Sequence, residues 1–261
     1  MKLIDIHTHV YPDDIAQKAT DSVQDFYNAG SHSMNGKVDR LLERGTAAGI
    51  DRFVILPVAI RPNRVRGINT FIQEQVKLHN RFIGFGTAHA AMENITDEVR
   101  WIWEQGLKGI KMHPDSQRFP IDDPRLFPLY EEARGRLPVL LHMGDHRYNY
   151  SHPVKLRKIL EMFPGLDVIA AHFGGYTMYE EACAHLKDTS CVLDISSSLM
   201  FLPEGEAERL IGVYGAERMA FGTDYPMWDP VQETQRFLQL RLPPDQLEQI
   251  GYKTTQRILK L

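Results

Sequence analysis

The stretch Lys2-Leu3-Ile4-Asp5-Ile6-His7-Thr8-His9 opens the chain and decides how the rest of it is interpreted. Side chains alternate between the two faces of a β-strand, so His7 and His9 are predicted to share one face. Two neutral imidazoles that converge on one point suit a divalent transition metal ion. The alternate residues are predicted to face covering helices on the other side of the strand: Ile4, Ile6, Thr8 and Val10.

Composition and charge limit the classes of protein to which the chain can belong. It has 261 residues, of which 43% are hydrophobic, and a formal net charge of −4. This length is typical of an α/β barrel, and we expect a single domain over residues 1–261. The slight acidic excess predicts no nucleic-acid partner, and we find neither a signal-peptide pattern nor a run of about 18 apolar residues. We therefore expect a cytoplasmic protein without membrane contact, and buried free thiols at Cys183 and Cys191.

Predicted strands and helices alternate along the whole chain. After the first strand, a polar connection over residues 11–36 holds at most one short helix, around residues 15–26, and is expected to form a rim over the two histidines. Seven further buried strands are predicted at residues 51–57, 82–86, 107–112, 138–142, 166–171, 191–195 and 218–222. Eight such units favour a closed (β/α)8 TIM barrel, and no glycine-rich fingerprint of an open dinucleotide-binding sheet follows the first strand.

The carboxyl ends of the strands carry the reacting groups of a (β/α)8 barrel. In this chain those ends hold five imidazoles, one lysine and one aspartate: His7, His9, Lys111, His113, His142, His172 and Asp224. Such a convergent set of imidazoles with one carboxylate predicts a metal site.

Five motifs in order carry a resemblance to a known family: Asp5-Ile-His-Thr-His9, Gly109-Ile-Lys-Met-His-Pro114, Leu141-His-Met-Gly144, Ala171-His-Phe-Gly-Gly175 and Gly222-Thr-Asp-Tyr-Pro226. They resemble the amidohydrolase superfamily. The most similar branch is the amidohydrolase-related one, which includes predicted TIM-barrel metal-dependent hydrolases and proteins like aminocarboxymuconate-semialdehyde decarboxylase. The resemblance implies that four residues bind the metal, namely His7, His9, His142 and Asp224. It also implies that His172 contacts the metal-bound water or the substrate.

The expected cofactor is one divalent metal ion, with zinc as the first choice and manganese as the second. Such an ion activates water and polarises a substrate carbonyl, with Asp224 as general base and His172 stabilising the developing oxyanion. Asp5 shares the face of His7 and is a candidate for orienting an imidazole. Lys111 has two interpretations. In two-metal members of the superfamily a lysine on this strand is carbamylated and bridges the metals, whereas with one metal Lys111 is an ammonium that binds a substrate carboxylate. We favour one metal.

Substrate recognition is expected from loops around this centre. Arg61, Arg64 and Arg66 follow the second strand, where guanidinium groups suit a substrate carboxylate, although a solvated loop explains them equally well. His113 and Trp228 are expected to line the pocket.

The first functional hypothesis is a metal-dependent hydrolase of an amide, lactone or ester bond in a small carboxylated substrate. The alternative is a non-oxidative decarboxylase, or a hydratase, of a small unsaturated or aromatic carboxylic acid. A binding protein without catalysis is disfavoured, because it predicts loss of a metal ligand and none of the four is lost. The expected partner is a small molecule, and a homodimer is left open by analogy.

Overall fold

A computed structural model describes residues 1–28 and 34–261. Its strands, all parallel to their neighbours, are β1 (Ile4–Thr8), β2 (Arg52–Ile55), β3 (Phe82–Gly84), β4 (Gly86–Thr87), β5 (Ile110–Met112), β6 (Val139–Leu141), β7 (Val168–Ala170), β8 (Val192–Asp194) and β9 (Met219–Ala220). Only Phe85 separates β3 from β4, so these two fill one of the eight predicted strand positions.

The strands form a three-stranded sheet, β1-β2-β3, and a six-stranded sheet, β4-β5-β6-β7-β8-β9. Phe85 connects the two sheets on one side, because its amide donates to Ile55 O at 3.1 Å. On the other side Ile6 N donates to Phe221 O at 2.9 Å, which brings the first strand beside the last. The two sheets therefore follow one another around a ring, and the predicted (β/α)8 TIM-barrel class is confirmed.

Helices pack against this ring, most of them on its outside. They are α1 (Ala16–Tyr27), α2 (Val38–Ala47), α3 (Val65–Leu78), α4 (Ile95–Glu104), α5 (Pro114–Gln117), α6 (Phe127–Ala133), α7 (Pro153–Met162), α8 (Tyr179–Leu186), α9 (Glu206–Tyr214), α10 (Pro230–Leu238), α11 (Pro244–Glu248) and α12 (Thr254–Leu259). In α3, for example, Val65, Asn69 and Ile72 recur at helical spacing and form the buried face. No helix within the described residues is long and apolar enough to cross a membrane.

Short helical turns complete the connections. Four are 3₁₀ helices, at Pro62–Arg64, Pro124–Leu126, His172–Gly174 and Ala216–Arg218. A π-helical turn at Gln249–Lys253 joins α11 to α12. The predicted connection over residues 11–36 contains α1, close to the expected bounds, while residues 29–33 of that connection lie outside the described residues.

Two apolar clusters lie on opposite sides of the strands. The larger one packs the strands against the helices and contains Phe53 and Ile55 of β2 together with Leu41 and Ile72. The smaller one fills the inside of the ring with residues that include Ile4, Ile6, Val54, Leu140, Ile169, Val192, Ala220, Ile258 and Leu259. Each fully buried Val, Leu or Ile side chain among them stabilises the fold by about 1.5–3 kcal/mol.

A β-bulge in β1 corrects the simple alternation predicted for the first strand. Asp5 pairs with Phe53 and Thr8 with Ile55, so β1 advances three residues where β2 advances two. Ile4 and Ile6 belong to the cluster inside the ring, so the prediction that they face the helices is wrong. Bulges of this kind re-aim side chains next to active sites. Because of the bulge, two consecutive residues face the inside of the ring. Ile6 packs in the apolar interior, and His7 faces the space above it.

Candidate metal centre and active site

The predicted site residues lie at the carboxyl ends of the strands, as expected for this fold. Most are buried: His7 is 1% exposed, Lys111 is 0%, His142 is 3%, His172 is 2% and Asp224 is 9%. Their burial follows from the ring of strands, which turns these ends toward a common axis.

His7, His9 and Asp224 form the centre of the site. His7 Nε2 lies 3.4 Å from Asp224 Oδ1, and His9 Nε2 lies 3.5 Å from the same oxygen. The candidate ligand atoms of this group lie within 4.8 Å of one another. Two imidazole nitrogens and one carboxylate oxygen are suitable donors for zinc, and also for manganese.

The imidazoles are oriented by hydrogen bonds at their other ring nitrogens. His7 Nδ1 lies 2.9 Å from Asp194 Oδ2, and His9 Nδ1 lies 2.7 Å from the carbonyl oxygen of Leu56. Metal-binding histidines commonly have such a carboxylate or carbonyl partner, which fixes the tautomer and the ring orientation. Both Nε2 atoms are thereby left to face Asp224.

His142 is connected to the centre indirectly, through His172. Its Nδ1 lies 3.0 Å from His172 Nε2, and the His172 ring stacks on that of His7 with 5.1 Å between ring centroids. Across residues 1–28 and 34–261, however, His142 groups within 4.8 Å with His113 and Asp115, not with His7, His9 and Asp224. The structure thus assembles three of the four expected ligands and places the fourth beside them.

Asp194 is a functional candidate that the sequence interpretation missed. It also accepts from the amide of His172 at 3.1 Å and from the hydroxyl of Ser196 at 2.5 Å. Burial alone would raise its pKa, but the adjacent imidazole of His7 holds that pKa well below the usual range of a carboxyl. The available signal was an aspartate at the carboxyl end of a predicted strand, the same signal that identified Asp224.

Lys111 lies directly beside the centre. Its Nζ is 3.1 Å from His7 Nε2. Burial lowers the pKa of Lys111 to about 8, against the opposing effect of Asp224 and Asp194. Burial, followed by the charge of Lys111, lowers the pKa of His7 to about 4. Burial and the charge of Lys111 therefore favour the neutral imidazole of His7, which is the form that binds metals.

Asp224 is held in place by the backbone of the first strand and by a serine. Its amide donates to His7 O at 2.8 Å, and its carboxylate accepts from the hydroxyl of Ser197. Burial opposes ionisation, but the imidazoles of His7 and His9 hold the pKa of Asp224 well below the usual range. Trp228 Nε1 donates to Ser197 Oγ at 2.8 Å, so this predicted pocket residue is linked to Asp224 through one hydroxyl.

Asp5 stabilises the backbone around the site. Its carboxylate accepts from the amide and hydroxyl of Thr223, at 3.0 and 2.6 Å, and from the amide of His7 at 3.1 Å. Burial raises the pKa of Asp5 to about 7. The imidazole of His7 is oriented by Asp194, so Asp5 serves the first and last strands and not the ring.

His113 lies beside the imidazoles of the site, together with Tyr27 and Asp115, which no sequence motif indicated. Its ring stacks on His142 at 3.9 Å with 8° between the planes. Tyr27 of α1 places its hydroxyl 2.7 Å from His113 Nε2. Asp115 Oδ2 accepts from Ser151 Oγ at 2.5 Å and lies 3.8 Å from His142 Nε2. No sequence motif marked Tyr27, because it lies 86 residues from His113 in the chain.

The three predicted arginines lie exposed in and after the loop that follows β2. Arg66 pairs with Glu98 at 2.9 Å, and its guanidinium lies 4.5 Å from the ring centroid of Trp101. Arg66 therefore pairs with residues of α4. Arg61 and Arg64 lie exposed in the segment after β2, and their contact with a substrate stays a prediction.

Four aromatic rings form an arc beside the imidazoles: Tyr27, Tyr176, Phe201 and Trp228. Successive ring centroids are separated by 5.7, 6.5 and 5.5 Å. Tyr176 also lies 5.9 Å from the His172 ring, which places the arc against the site. Phe201 is 53% exposed, so the arc extends from the imidazoles to solvent. A surface of this kind suits a planar apolar group.

Comparison with known proteins supports the barrel fold and the resemblance to the amidohydrolase superfamily. A family model described as amidohydrolase matches residues 4–261. An uncharacterized TIM-barrel protein from Bordetella bronchiseptica is 23% identical with a TM-score of 0.84, covering 100% of this chain and 99% of that one. A dihydroxybenzoic acid decarboxylase from Polaromonas sp. JS666, with bound manganese and the inhibitor 2-nitroresorcinol, is 17% identical with a TM-score of 0.79, covering 100% and 97%. A 5-carboxyvanillate decarboxylase from Sphingomonas paucimobilis is 14% identical with a TM-score of 0.78, covering 100% and 99%. At these identities the likeness to solved structures shows the fold.

Proposed function

The chain belongs to the amidohydrolase family, and on that premise we propose that it is a metal-dependent non-oxidative decarboxylase of a small aromatic or unsaturated carboxylic acid. Two proteins that share its fold over 97% and 99% of their length are a dihydroxybenzoic acid decarboxylase and a 5-carboxyvanillate decarboxylase. This similarity makes the decarboxylase hypothesis the first one and the hydrolase hypothesis the second.

The observation that carries the proposal is the aromatic arc of Tyr27, Tyr176, Phe201 and Trp228 beside a metal-binding group. Planar rings stack on aromatic side chains in offset or edge-to-face geometry at centroid separations of about 4.5–7 Å. A planar unsaturated acid can therefore lie along the arc with its carboxylate at the imidazoles and at Lys111.

The donors at the centre fit a divalent ion. We propose that His7, His9 and Asp224 hold it, with His142 as a fourth ligand, and that manganese or zinc is the ion. Such a metal supplies Lewis-acid polarisation of a substrate oxygen. The structure of the Polaromonas protein contains manganese, which makes this ion the first to test.

The chain's own residues account for the remaining steps. Decarboxylation breaks the bond between the carboxyl carbon and its neighbour, the electron pair stays on that neighbour, and CO₂ leaves while a proton is added. We propose that the Lys111 ammonium binds the carboxylate and that His172 and Asp224 exchange the proton with the substrate. The burial of these groups excludes water, which strengthens each electrostatic contact.

The test is CO₂ release from hydroxylated benzoic acids by the manganese-loaded protein, with no electron acceptor present. Asp224→Asn should lose activity by at least about 100-fold, the usual effect of removing a general acid–base group. The aromatic product without its carboxyl group must appear in equal amount. The proposal is contradicted if product forms only when an electron acceptor is present. It is also contradicted if no aromatic acid gives any product.

Hydrolysis is the second candidate, favoured by one observation. His7 takes part in two candidate metal groups, one with His9 and Asp224 and one with His172 and Asp194, and Lys111 lies 3.1 Å from it. Two metals and a carbamylated Lys111 would suit a hydrolase. Elemental analysis of protein purified without chelators and with bicarbonate decides between the two. One metal per chain supports the decarboxylase, and two metals with a carbamate support hydrolysis.

A further inference from the structure

The helix α1, which carries the Tyr27 ring of the aromatic arc, is attached to the barrel chiefly at its C-terminal end. Its buried residues are Ala16, Thr20 and Gln24. One of these is small and two are polar, so burial of apolar surface contributes little to the attachment. The aromatic contacts come from Phe26 and Tyr27, whose ring centroids each lie 6.1 Å from that of His113. The position of Tyr27 therefore depends on what fixes the end of the helix.

Arg147 connects this end of α1 to the loop that follows β6. Its guanidinium donates to the carboxylate of Asp145 through Nε at 2.9 Å and through Nη2 at 2.6 Å. Its Nη1 donates to the carbonyl oxygen of Phe26 at 2.6 Å. The same guanidinium lies 4.7 Å from the centroid of the Phe26 ring and 5.2 Å from that of the Tyr27 ring. Both distances are within the range of cation–π attraction.

Asp145 gives the guanidinium a fixed position. It is 1% exposed and lies three residues after His142 in the chain. Its carboxylate also accepts from the amide of Arg147 at 3.0 Å. A planar guanidinium that is paired at two points with a buried carboxylate is held in one orientation, and its charge is already compensated. The loop after β6 therefore holds Arg147, and Arg147 in turn holds α1.

The hydroxyl of Tyr27 makes its contacts within the protein. It lies 2.7 Å from His113 Nε2 and 3.3 Å from His142 Nε2. The part of Tyr27 that can contribute to ligand binding is consequently its ring.

We propose that Arg147 is a positioning residue for substrate binding, because it holds the end of α1 so that the Tyr27 ring stays in the aromatic arc beside the imidazoles. This inference rests on the proposed function, in which a planar aromatic acid lies along the arc. It adds the residue that sets the position of the ring nearest His113 and His142.

The test is a double-mutant cycle, in which manganese-loaded protein is titrated with salicylate in a calorimeter. The variants are Arg147→Lys, Tyr27→Leu and the two combined. Lysine keeps the charge but lacks the planar fork that contacts Asp145 and Phe26 together. Arg147→Lys should weaken salicylate binding roughly 5- to 20-fold, which lies within the usual range of coupling between residues in contact. Because Arg147 acts through the Tyr27 ring, the combined variant should bind salicylate no more weakly than Tyr27→Leu.

Two further measurements separate this role from a general loss of structure. The manganese affinity of Arg147→Lys should equal that of the wild type, because the guanidinium contacts Asp145 and the end of α1. Arg157→Lys is the matched control, since Arg157 pairs with Glu161 on the surface of α7, and it should bind salicylate as the wild type does.

Each outcome decides the inference. Unchanged salicylate affinity in Arg147→Lys overturns it, and so does a loss of manganese affinity in that variant, which would place the effect at the metal centre. Losses that multiply in the combined variant also overturn it, because Arg147 would then act independently of Tyr27. If the loaded wild type does not bind salicylate, the inference fails, while CO₂ release from other hydroxylated benzoic acids still decides the proposed function. Coupled losses of binding without CO₂ release from any aromatic acid keep the positioning role and remove only the reaction.

Discussion

At the scale of single residues, the site depends on side chains that hold other side chains. Asp194 orients His7, Ser197 connects Trp228 to Asp224, and Arg147 fixes the helix end that carries Tyr27. Metal-binding histidines lose affinity when the partner of their other nitrogen is removed, because the ring is then free to rotate.

Asp194→Asn should weaken binding of manganese by roughly 10- to 100-fold with little change in fold. The amide keeps the size of the side chain but loses the charge that favours the required tautomer of His7. Isothermal titration with manganese measures the effect. Asp188→Asn, an exposed site, is the control. Equal affinity in Asp194→Asn and wild type would show that His7 does not need this partner.

Glu233 is a buried carboxyl that makes stability depend on pH. It is 1% exposed, and burial raises its pKa to about 7 despite the adjacent Arg236. The folded state therefore binds a proton more tightly than the unfolded chain, so stability falls as the pH rises from about 4.5 toward 7.

Glu233→Gln should remove that fall. The free energy of unfolding should then change between pH 4.5 and 8 by roughly 1–3 kcal/mol less than in the wild type. Urea unfolding at several pH values measures the slope. The matched control is Glu161→Gln, because Glu161 pairs with Arg157 on a helix surface where its side chain is 62% exposed. A slope unchanged in Glu233→Gln but altered in the control would contradict the assignment.

At the scale of elements, the contact between the first strand and the segment after the last strand aligns two of the candidate ligands. The β1 bulge turns His7 inward, and Gly222 allows the close approach. A Cβ at Gly222 would lie 2.9 Å from His7 Cβ and 3.2 Å from Ser196 Cβ. Both contacts involve atoms close to the backbone, which cannot move without shifting the centre.

Gly222→Ala should destabilise the fold by about 1–3 kcal/mol, the usual cost of overpacking, and should weaken manganese binding. Gly212→Ala is the matched control. It lies inside α9 with no atom within 4 Å of an added Cβ. Its expected effect is a gain of roughly 0.5–1 kcal/mol from helix propensity. Urea unfolding of both variants checks the opposite signs, and equal signs would refute the close approach.

At the scale of the whole molecule, the ring of parallel strands gathers groups from distant parts of the chain. His7 and Asp194 are 187 residues apart in sequence, and Tyr27 and His142 are 115 apart. A metal bound by such groups connects the first strand to the segment that follows the last one. Its binding free energy therefore stabilises the folded state of the entire barrel.

Saturation with manganese, at about 100-fold above its Kd, should stabilise the protein by roughly 2.7 kcal/mol. For a chain of this size that raises Tm by about 5–10 °C relative to chelator-treated protein. Differential scanning calorimetry measures the shift. Asp224→Asn should show a smaller shift, because it removes a proposed ligand. An equal shift in both proteins would place the metal elsewhere.

The sequence by itself determined the barrel, its eight strand positions and the polar residues at the strand ends. These follow from local patterns, because strand–helix alternation and the residue after each strand are read over a few positions. His7, His9 and Asp224 were found this way, and they do meet.

Only the tertiary structure decided which groups pair around that centre. The bulge turned His7 inward, Glu98 paired with Arg66, Asp194 took the orienting position expected of Asp5, and α1 brought Tyr27 to His113. Register shifts and long-range pairs depend on how all strands pack at once, so no short stretch of sequence contains them. Short stretches of sequence therefore predict which residue types form the site, whereas the packing of the whole barrel decides how they pair.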